Sequence, residues 1–176
     1  MYEIEAKVPL SKADFQRLKK EVPKITKHKI KVSILDRYYG NPKTFFLRIR
    51  EKNGKGLLNL KSKEREQGIE LNQEIELPLT SAKKFDALLK KFNLPLYTTK
   101  RKEGEVFSFK NFQIELHKVE GLGHFLEIET IIKSKSGIPK AKKALRDIFH
   151  KLGFSPKDFE KKYYLELLEE TRKNTT

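Results

Sequence analysis

The sequence predicts a β-dominated α+β fold whose sheet curls so that a charged face points inward. In the first eight residues, Glu3, Glu5 and Lys7 alternate with apolar side chains. Successive side chains of an extended strand point to opposite faces, so these three charges would share one face. The same spacing recurs along the chain, and the recurrences divide into acidic and basic strands. Repetition and segregation together set this pattern apart from that of a single amphipathic surface strand.

The recurring charged strands favour a wet lumen over a sheet face that is simply open to water. Their period-two charges are Arg48 and Arg50, Lys61, Glu74 and Glu76, and Glu127 and Glu129. Acidic strands and basic strands can face one another when the sheet is curled. Such an arrangement can hold a charged ligand together with its metal ions.

Length and composition indicate one globular domain that binds anions. The chain has 176 residues, of which 37% are hydrophobic, enough to form a core. The 39 Lys and Arg residues against 24 Asp and Glu give a net charge of +15, which points to nucleotide, polyphosphate or nucleic acid partners. The absence of cysteine excludes disulfides and thiolate sites. The charged content of 36% leans toward a thermophile.

We expect the protein to be cytoplasmic, with no membrane partner. The chain contains no apolar run of the roughly 18 residues that a membrane-spanning helix needs. It also starts directly with the first strand, without the charged and then apolar pattern of a secretory leader.

The first predicted helix follows the first strand and covers the outside of the sheet. Ser11 is placed to cap it, and its buried stripe consists of Phe15, Leu18 and Val22. Pro23 is predicted to end it, because proline cannot donate a backbone hydrogen bond to the preceding turn.

The strands of the first half are predicted to form neighbouring antiparallel pairs. A long strand covers residues 26–39. Asn53-Gly54-Lys55-Gly56 is a strong hairpin signal between the Arg48 strand and the Lys61 strand. The charged residues 64–68 are predicted to form a loop.

The second half repeats the order of strand, helix and strands. Ser81 is placed to cap a second outer helix. The later predicted elements are a basic stretch at 97–102, strands at 105–109 and 112–119, a helix at 138–152, and a last helix that begins at Ser155-Pro156. Residues 171–176 are predicted to be a frayed tail.

One ordered set of charged motifs extends over nearly the whole chain. Its members are Glu3-Ile4-Glu5-Ala6-Lys7, Leu47-Arg48-Ile49-Arg50, the Lys61 strand, Glu74-x-Glu76, Lys100-Arg101-Lys102, and Val119-Glu120-Gly121-Leu122-Gly123-His124-Phe125-Leu126-Glu127-Ile128-Glu129. This set resembles the CYTH superfamily, the triphosphate tunnel metalloenzymes. It is most similar to the branch that contains class IV adenylyl cyclases and thiamine triphosphatase-like proteins.

The resemblance implies a single tunnel-barrel domain over residues 1–170. In this family fold, eight antiparallel strands close into a barrel, helices pack outside, and the lumen binds a triphosphate with Mg2+ or Mn2+. The chain departs from the family pattern at three places. Gly40 stands where an acid is common, His117 where the cyclase-like branch often has Asp, and Tyr163-Tyr164 where Ser-Tyr is common.

The charged motifs also divide into two groups by chemistry. Mg2+ prefers a few hard carboxylates together with phosphate oxygens and water, so the predicted metal ligands are Glu3, Glu5, Glu74, Glu76, Glu127 and Glu129. Cations can neutralise and position phosphoryl oxygens, so the predicted phosphate contacts are Lys7, Arg48, Arg50, Lys61, Lys100, Arg101 and Lys102. Lys7 could alternatively act as a general base, although a phosphate contact is favoured.

Two reactions fit such a site. The first is that of a class IV adenylyl cyclase, in which ATP yields cyclic AMP and pyrophosphate. The alternative is hydrolysis of tripolyphosphate, thiamine triphosphate or a nucleoside triphosphate. The position of the nucleophile distinguishes the two reactions, and the sequence leaves both open.

A non-catalytic module that binds RNA or another polyanion is a further alternative. Tyr38, Tyr39, Phe45 and Phe46 lie near Arg48 in the sequence and could stack on bases. This hypothesis gives no reason for the repeated carboxylate pairs, so nucleic acid is the less favoured partner. A homodimer formed through exposed strand edges is also left open.

Overall fold

The computed structural model describes residues 1–41 and 45–174, and within these residues the side chains of 41, 45, 46 and 61–63 are not described. The described strands are β1 (Tyr2–Leu10), β2 (Lys29–Asn41), β3 (Phe45–Lys52), β4 (Lys55–Glu66), β5 (Ile69–Leu79), β6 (Leu96–Phe109), β7 (Phe112–Val119) and β8 (Gly123–Ile132). The described α-helices are α1 (Lys12–Ile25), α2 (Ala82–Lys91), α3 (Ile138–Lys151) and α4 (Tyr164–Lys173).

The strands close into one antiparallel barrel in the order β1-β5-β4-β3-β2-β6-β7-β8. The predicted β-dominated α+β fold, a closed eight-stranded antiparallel barrel, is therefore confirmed. Closure brings the first strand against the last, where Lys7 lies opposite Glu127 and Glu5 lies opposite Glu129. The charged faces of β1 and β8 thus meet on the same side of the sheet, as the period-two pattern predicted.

The strand order divides the lumen wall into an acidic half and a basic half. The strands β7, β8, β1 and β5 are consecutive around the barrel and carry most of the inward carboxylates. The strands β3, β2 and β6 are also consecutive and carry most of the inward cations. Charges that are far apart in the sequence are therefore grouped by the topology.

The main hydrophobic core lies between the barrel and the helices outside it. The outward face of the acidic half includes Ile4, Ile114 and Ile128, which cluster with Leu18 of α1 and Leu145 of α3. All five side chains are buried. The outer helices therefore stabilise the strands that present the carboxylates.

A second, smaller core lies under α2. Ala82 and Leu89 of this helix pack on Tyr39 and Ile49, on the outer faces of β2 and β3. Ile49 points outward against α2, and its neighbours Arg48 and Arg50 therefore point inward to the lumen. The packing of α2 thus stabilises strands of the basic half. Helices outside the barrel were predicted, and both cores confirm them.

The last helix closes one end of the lumen. Tyr164 and Leu165, at the start of α4, line the cavity, and Tyr164 contacts the side chains of Glu127 and His117. Further along α4, Glu169 accepts a hydrogen bond from Tyr97 of β6. The helix is therefore fixed to both halves of the barrel wall.

The first helix continues past its predicted end. It includes Pro23 and ends at Ile25. A proline in the last turn removes only one helical hydrogen bond, and Val22 beside it is fully buried. Thr26 donates from Oγ1 to the carbonyl of Val22 at 2.9 Å, which stabilises the final turn.

The loop predicted at 64–68 is wrong, because β4 continues to Glu66. Only Gln67 and Gly68 form the turn, and both have positive φ, as a tight two-residue hairpin requires. Arg65 pairs with Glu70, and Glu66 pairs with Lys142 of α3. Consecutive charged residues are typical of a solvent-exposed loop. Here they belong to a strand, because their charges have ionic partners on both faces of β4.

Three other boundaries differ from the prediction. The basic stretch 97–102 and the strand 105–109 are parts of one strand, β6. Pro156 begins a single 3-10 turn, Pro156–Asp158, and the last α-helix starts only at Tyr164. This helix extends to Lys173, so it includes the first residues of the predicted tail, while 175–176 lie outside the described residues.

Candidate active site in the barrel lumen

The lumen is a cavity of about 240 Å³ with a mostly charged wall. Its lining carboxylates are Glu3, Glu5, Glu70, Glu74, Glu76, Glu115, Glu127 and Glu129. Its lining cations are Lys7, Arg48, Arg50, Lys52, Lys100 and Lys102. Among the described lining residues the carboxylates outnumber the cations, and all of these carboxylates are on the strands of the acidic half.

Three carboxylates from neighbouring strands form one group. Glu3, Glu5 and Glu129 bring carboxylate oxygens within 4.8 Å of one another. Asn72 donates to both Glu3 and Glu5 at 3.3 Å and so orients them. Burial and repulsion from its neighbours, Glu115 foremost, raise the pKa of Glu129 well above its ordinary value. A divalent cation among these oxygens would relieve that repulsion, so the donor set fits Mg2+ or Mn2+.

A second group lies deeper in the wall, where Lys102, Glu115, Glu127 and His117 are buried and Tyr164 is half-buried. Lys102 Nζ lies 2.5 Å from Glu115 Oε2 and 3.7 Å from Glu127 Oε1. Tyr164 donates its hydroxyl to Glu127 Oε2 at 2.9 Å, and the Nε2 atom of His117 lies 3.0 Å from that hydroxyl. Of the predicted residues, this group contains Glu127 and Lys102.

The basic half is organised by one buried carboxylate. Arg50 donates to Asp36 through Nε at 2.7 Å and Nη2 at 3.0 Å, and Lys100 Nζ lies 3.0 Å from the same carboxylate. Arg48 Nη1 lies 3.8 Å away. Burial alone would raise the pKa of Asp36, but Arg50, Lys100 and Arg48 hold it well below its ordinary value. Asp36 thus gathers three predicted phosphate contacts into one cluster.

Lys7 is a buried cation among the carboxylates of the acidic half, as Asp36 is a buried carboxylate among the cations of the basic half. Its Nζ lies 2.5 Å from Glu70 Oε1, and Arg65 Nη2 lies 3.1 Å from the same oxygen. Burial and repulsion from Glu5 raise the pKa of Glu70 to about 7, against the lowering effect of Lys7. The ammonium also faces the ring of Tyr164, 5.0 Å from its centroid, so it is held at the closed end of the lumen.

The third predicted carboxylate pair lies apart from the other two. Asn59 donates to Glu74 at 3.2 Å and to Glu76 at 3.0 Å. Arg48 Nη2 lies 3.7 Å from Glu74. Glu74 and Glu76 line the cavity but share Asn59 of β4 as a donor, and Glu74 also contacts Arg48 of the basic half, so neither belongs to the Glu3 group.

Two predicted phosphate contacts are not brought into the described site. Arg101 is on the outer face, where its Nε lies 3.3 Å from Glu120, and about half of its side chain is exposed. Alternation along β6 turns Lys100 and Lys102 inward and therefore Arg101 outward. The backbone of Lys61 lies opposite Glu74, but its side chain is outside the described residues.

Sequence reasoning missed several lumen residues. These are Asp36, Asn59, Glu70, Asn72 and Glu115, while His117 and Tyr164 were noted only as departures from the family pattern. Glu70 and Asn72 share the period of Glu74, and Glu115 and His117 share a period on β7, so alternation could have identified them. Tyr164 reaches the lumen from a helix, and no periodic signal in the sequence indicates this.

The chain matches the family model described as the CYTH domain over residues 1–164. The chain belongs to the CYTH domain family. CYTH proteins are divalent-metal-dependent enzymes that bind triphosphate substrates. The carboxylate group and the cation cluster of this lumen are consistent with that chemistry. None of the described helices is long and apolar enough to span a bilayer.

Individual CYTH relatives agree with the family assignment. A Methanocaldococcus jannaschii protein, provisionally named an adenylate cyclase, is 28% identical over 95% of this chain and 98% of its own length. A solved Pyrococcus horikoshii protein is 31% identical, with a TM-score of 0.79 over 97% of this chain and 99% of that chain. A Hippeastrum protein, provisionally named an adenylyl cyclase and described as having a dominant triphosphatase activity, shares the fold with 18% identity. Its TM-score is 0.70 over 96% of this chain and 95% of that chain.

Proposed function

We propose that this CYTH protein is a divalent-metal-dependent triphosphatase that hydrolyses the terminal phosphate of a triphosphate bound in the lumen. The observation that carries the proposal is the facing of two charged groups, the carboxylates of Glu3, Glu5 and Glu129 and the cations around Asp36. A polyphosphate is the ligand that needs both, because its oxygens bind cations directly and bind carboxylates only through metal ions.

The residues have separate roles in this proposal. Glu3, Glu5 and Glu129 would hold Mg2+ or Mn2+, which supplies charge neutralisation at the phosphoryl oxygens. Arg48, Arg50, Lys100 and Lys102 bind and orient the phosphates from the basic half. Phosphoryl transfer depends mainly on such positioning and charge stabilisation.

We assign Lys7 to phosphate binding and not to proton abstraction. Its Nζ donates to Glu70 at 2.5 Å, so this nitrogen is already held as a hydrogen-bond donor. It faces the lumen at the end closed by Tyr164, where it can reach the end of a bound polyphosphate chain.

Formation of cyclic AMP from ATP is the second candidate function, although the resemblance found in the sequence ranked it ahead of hydrolysis. The described lining is mostly charged, which suits a polyphosphate more directly than an adenine ring. A nucleoside could use Ile131 and Gln113, which line the cavity beyond Glu129, away from Tyr164. The provisional name of the archaeal relative also favours keeping this reaction in the test.

Side-by-side incubation tests the proposal. Purified protein is incubated with ATP or with tripolyphosphate, in Mg2+, in Mn2+ or in EDTA, and cyclic AMP, pyrophosphate and orthophosphate are measured separately. We expect metal-dependent orthophosphate from tripolyphosphate and none in EDTA. Cyclic AMP with stoichiometric pyrophosphate would instead establish the cyclase.

Matched variants connect the activity to the lumen. Glu5→Gln should reduce turnover by about 100-fold or more, since it removes one of three clustered carboxylates. Glu120→Gln is the control, because Glu120 is exposed on the outer face. If neither substrate is turned over and Glu5→Gln leaves polyanion binding unchanged, the non-catalytic RNA-binding or polyanion-binding module replaces both enzymes.

A further inference from the structure

One nitrogen atom in the lumen wall has no partner. His117 is fully buried, and its Nδ1 makes no hydrogen bond within the part of the chain that the structure describes. Glu115 Oε2 lies 3.6 Å from this nitrogen. A buried polar atom without a partner costs free energy, so its position calls for an explanation.

Hydrogen bonding on the other side of the ring determines what Nδ1 can do. Tyr164 donates its single hydroxyl proton to the carboxylate of Glu127 at 2.9 Å. The same hydroxyl oxygen, 3.0 Å from His117 Nε2, therefore accepts a proton from that nitrogen. The neutral ring then carries its proton on Nε2 and an exposed lone pair on Nδ1.

The lone pair thus faces a carboxylate oxygen, and a cation between or beside these two electron-rich atoms would stabilise them. Two ligands of one tetrahedral zinc ion, at bond lengths of about 2.0 to 2.2 Å, lie roughly 3.3 to 3.6 Å apart. One ring nitrogen of His117 and one carboxylate oxygen each from Glu115 and Glu127 lie within 4.8 Å of one another. Nδ1 is on the Glu115 side of the ring, and Nε2 lies 3.7 Å from Glu127 Oε2. The geometry is therefore that of a small cation site with mixed oxygen and nitrogen donors.

We propose that Glu115, His117 and Glu127 form an inner site for a first-row transition dication, with Nδ1 of His117 as its nitrogen ligand. This site is separate from the all-carboxylate group of Glu3, Glu5 and Glu129. Imidazole nitrogen favours Mn2+, Co2+ or Zn2+ over Mg2+, which prefers oxygen ligands. The inference deepens the proposed function by naming the metal class, and it rests on that function only for its place in the same lumen.

Lys102 supplies the positive charge at this position when no metal is bound. Its Nζ lies 2.5 Å from Glu115 Oε2, so an incoming metal must displace the ammonium from that oxygen. The displaced ammonium would turn toward the lumen, where bound phosphate would accept its hydrogen bonds. Metal binding at the inner site and phosphate binding by Lys102 therefore support each other.

Pulsed electron paramagnetic resonance of the Mn2+-loaded full chain tests the inner site, because it detects nitrogen bound to the metal directly. We expect 14N modulation in the wild-type protein, replaced by 15N modulation when histidine is 15N-labelled. In His117→Asn the nitrogen coupling should be lost. The combined variant His28→Asn, His124→Asn and His150→Asn should retain it, since His28 and His150 are exposed and His124 stacks on Phe15 outside the barrel.

Lys102→Met provides a second measurement that does not depend on changing a ligand. Removal of the competing ammonium should lower the apparent Kd for Mn2+ in the absence of phosphate.

Bound Mn2+ without histidine nitrogen coupling, or coupling that survives His117→Asn, would overturn the inner site. The labelled wild type and the combined variant decide the question even if His117→Asn does not fold. Persistent triphosphate hydrolysis without nitrogen coupling would reject the inner site alone, whereas nitrogen coupling without hydrolysis would reject the triphosphatase alone.

Discussion

Asp36 is the side chain on which the basic half depends for its stability. It is fully buried and paired with Arg50 and Lys100. Asp36→Asn should lower the free energy of unfolding at pH 7 by about 3 to 5 kcal/mol, because buried guanidinium and ammonium groups lose their counter-charge. Urea denaturation measures this loss. The exposed Asp147→Asn is the control and should change it by less than about 0.5 kcal/mol.

The pH dependence of this effect has a definite sign. The folded-state pKa of Asp36 lies well below the ordinary value of 3.8. Its contribution is therefore fully present above that value and is lost as the pH falls through the lower folded-state pKa. Unfolding curves from pH 7 to pH 2 should show the wild type and Asp36→Asn converging at acid pH. A constant difference between them across this range would contradict the assignment.

Alternation identified many lumen residues from the sequence and, used strictly, would have excluded one. Three consecutive residues of a strand cannot all face a lumen. Alternation therefore excludes Arg101 as a phosphate contact if its neighbours Lys100 and Lys102 point inward. Asp36 was a different kind of omission. Its importance follows from the register that places it opposite both Arg50 and Lys100. The register between two strands cannot be predicted from the sequence of either strand alone.

The pairing of β6 with β7 depends on a glycine. A Cβ added at Gly104 would lie 2.2 Å from the carbonyl oxygen of Leu116 and 2.5 Å from Cα of His117. These are backbone atoms, so Gly104→Ala would force the strands apart and cost about 1 to 3 kcal/mol. Gly137→Ala is the matched control, since its Cβ would meet only Ile132 at 3.6 Å. Equal melting temperatures for the two variants would refute the close approach.

The attachment of α4 depends on the buried hydroxyl of Tyr164. Tyr164→Phe removes the donor to Glu127 and the partner of His117, and should cost about 1 to 3 kcal/mol. Hydrogen exchange of the α4 amides should become faster, because the helix loses its contact with the barrel wall. Tyr97→Phe removes a hydrogen bond from the same helix at a half-buried position, where water can replace the lost partner, and should have a much smaller effect. Equal acceleration in both variants would show that the buried contact has no special role.

Elements with a clear apolar period were predicted well, and charged ones less well. The helix at 138–152 and the strand at 112–119 agree with α3 and β7, because each buries one apolar face. The end of β4 and the middle of β6 were misread, because there both faces are charged. Their partners are on other strands and on α3, and only the closed barrel brings those partners into contact.

Barrel closure also changes the expectation of a homodimer. Each of the eight strands has a neighbour on both sides, so pairing through strand edges is not available among the described strands. A second copy would have to bind through side chains. Ile75 and Leu77 are exposed on the outer face of β5 and could contribute to such a contact. The homodimer itself stays a prediction.

The net charge of +15 belongs mostly to the exterior, since the described lumen lining has more carboxylates than cations. RNA binding should therefore use the outer surface and be independent of metal. The combined variant Lys83→Gln, Lys84→Gln and Lys91→Gln removes three exposed charges from α2. It should reduce the slope of log K against log salt for single-stranded RNA by about 0.7 for each lysine that contacts phosphate.

The same variant separates exterior binding from binding in the lumen. Metal-dependent tripolyphosphate binding, measured by calorimetry in Mg2+, should be unchanged, because the altered side chains are on the outer helix. Arg48→Gln should have the reverse effect, with weaker tripolyphosphate binding and an unchanged salt slope for RNA. If the lysine variant weakened the binding of RNA and of tripolyphosphate equally, both ligands would bind the same outer surface. The charged lumen would then not be the triphosphate site.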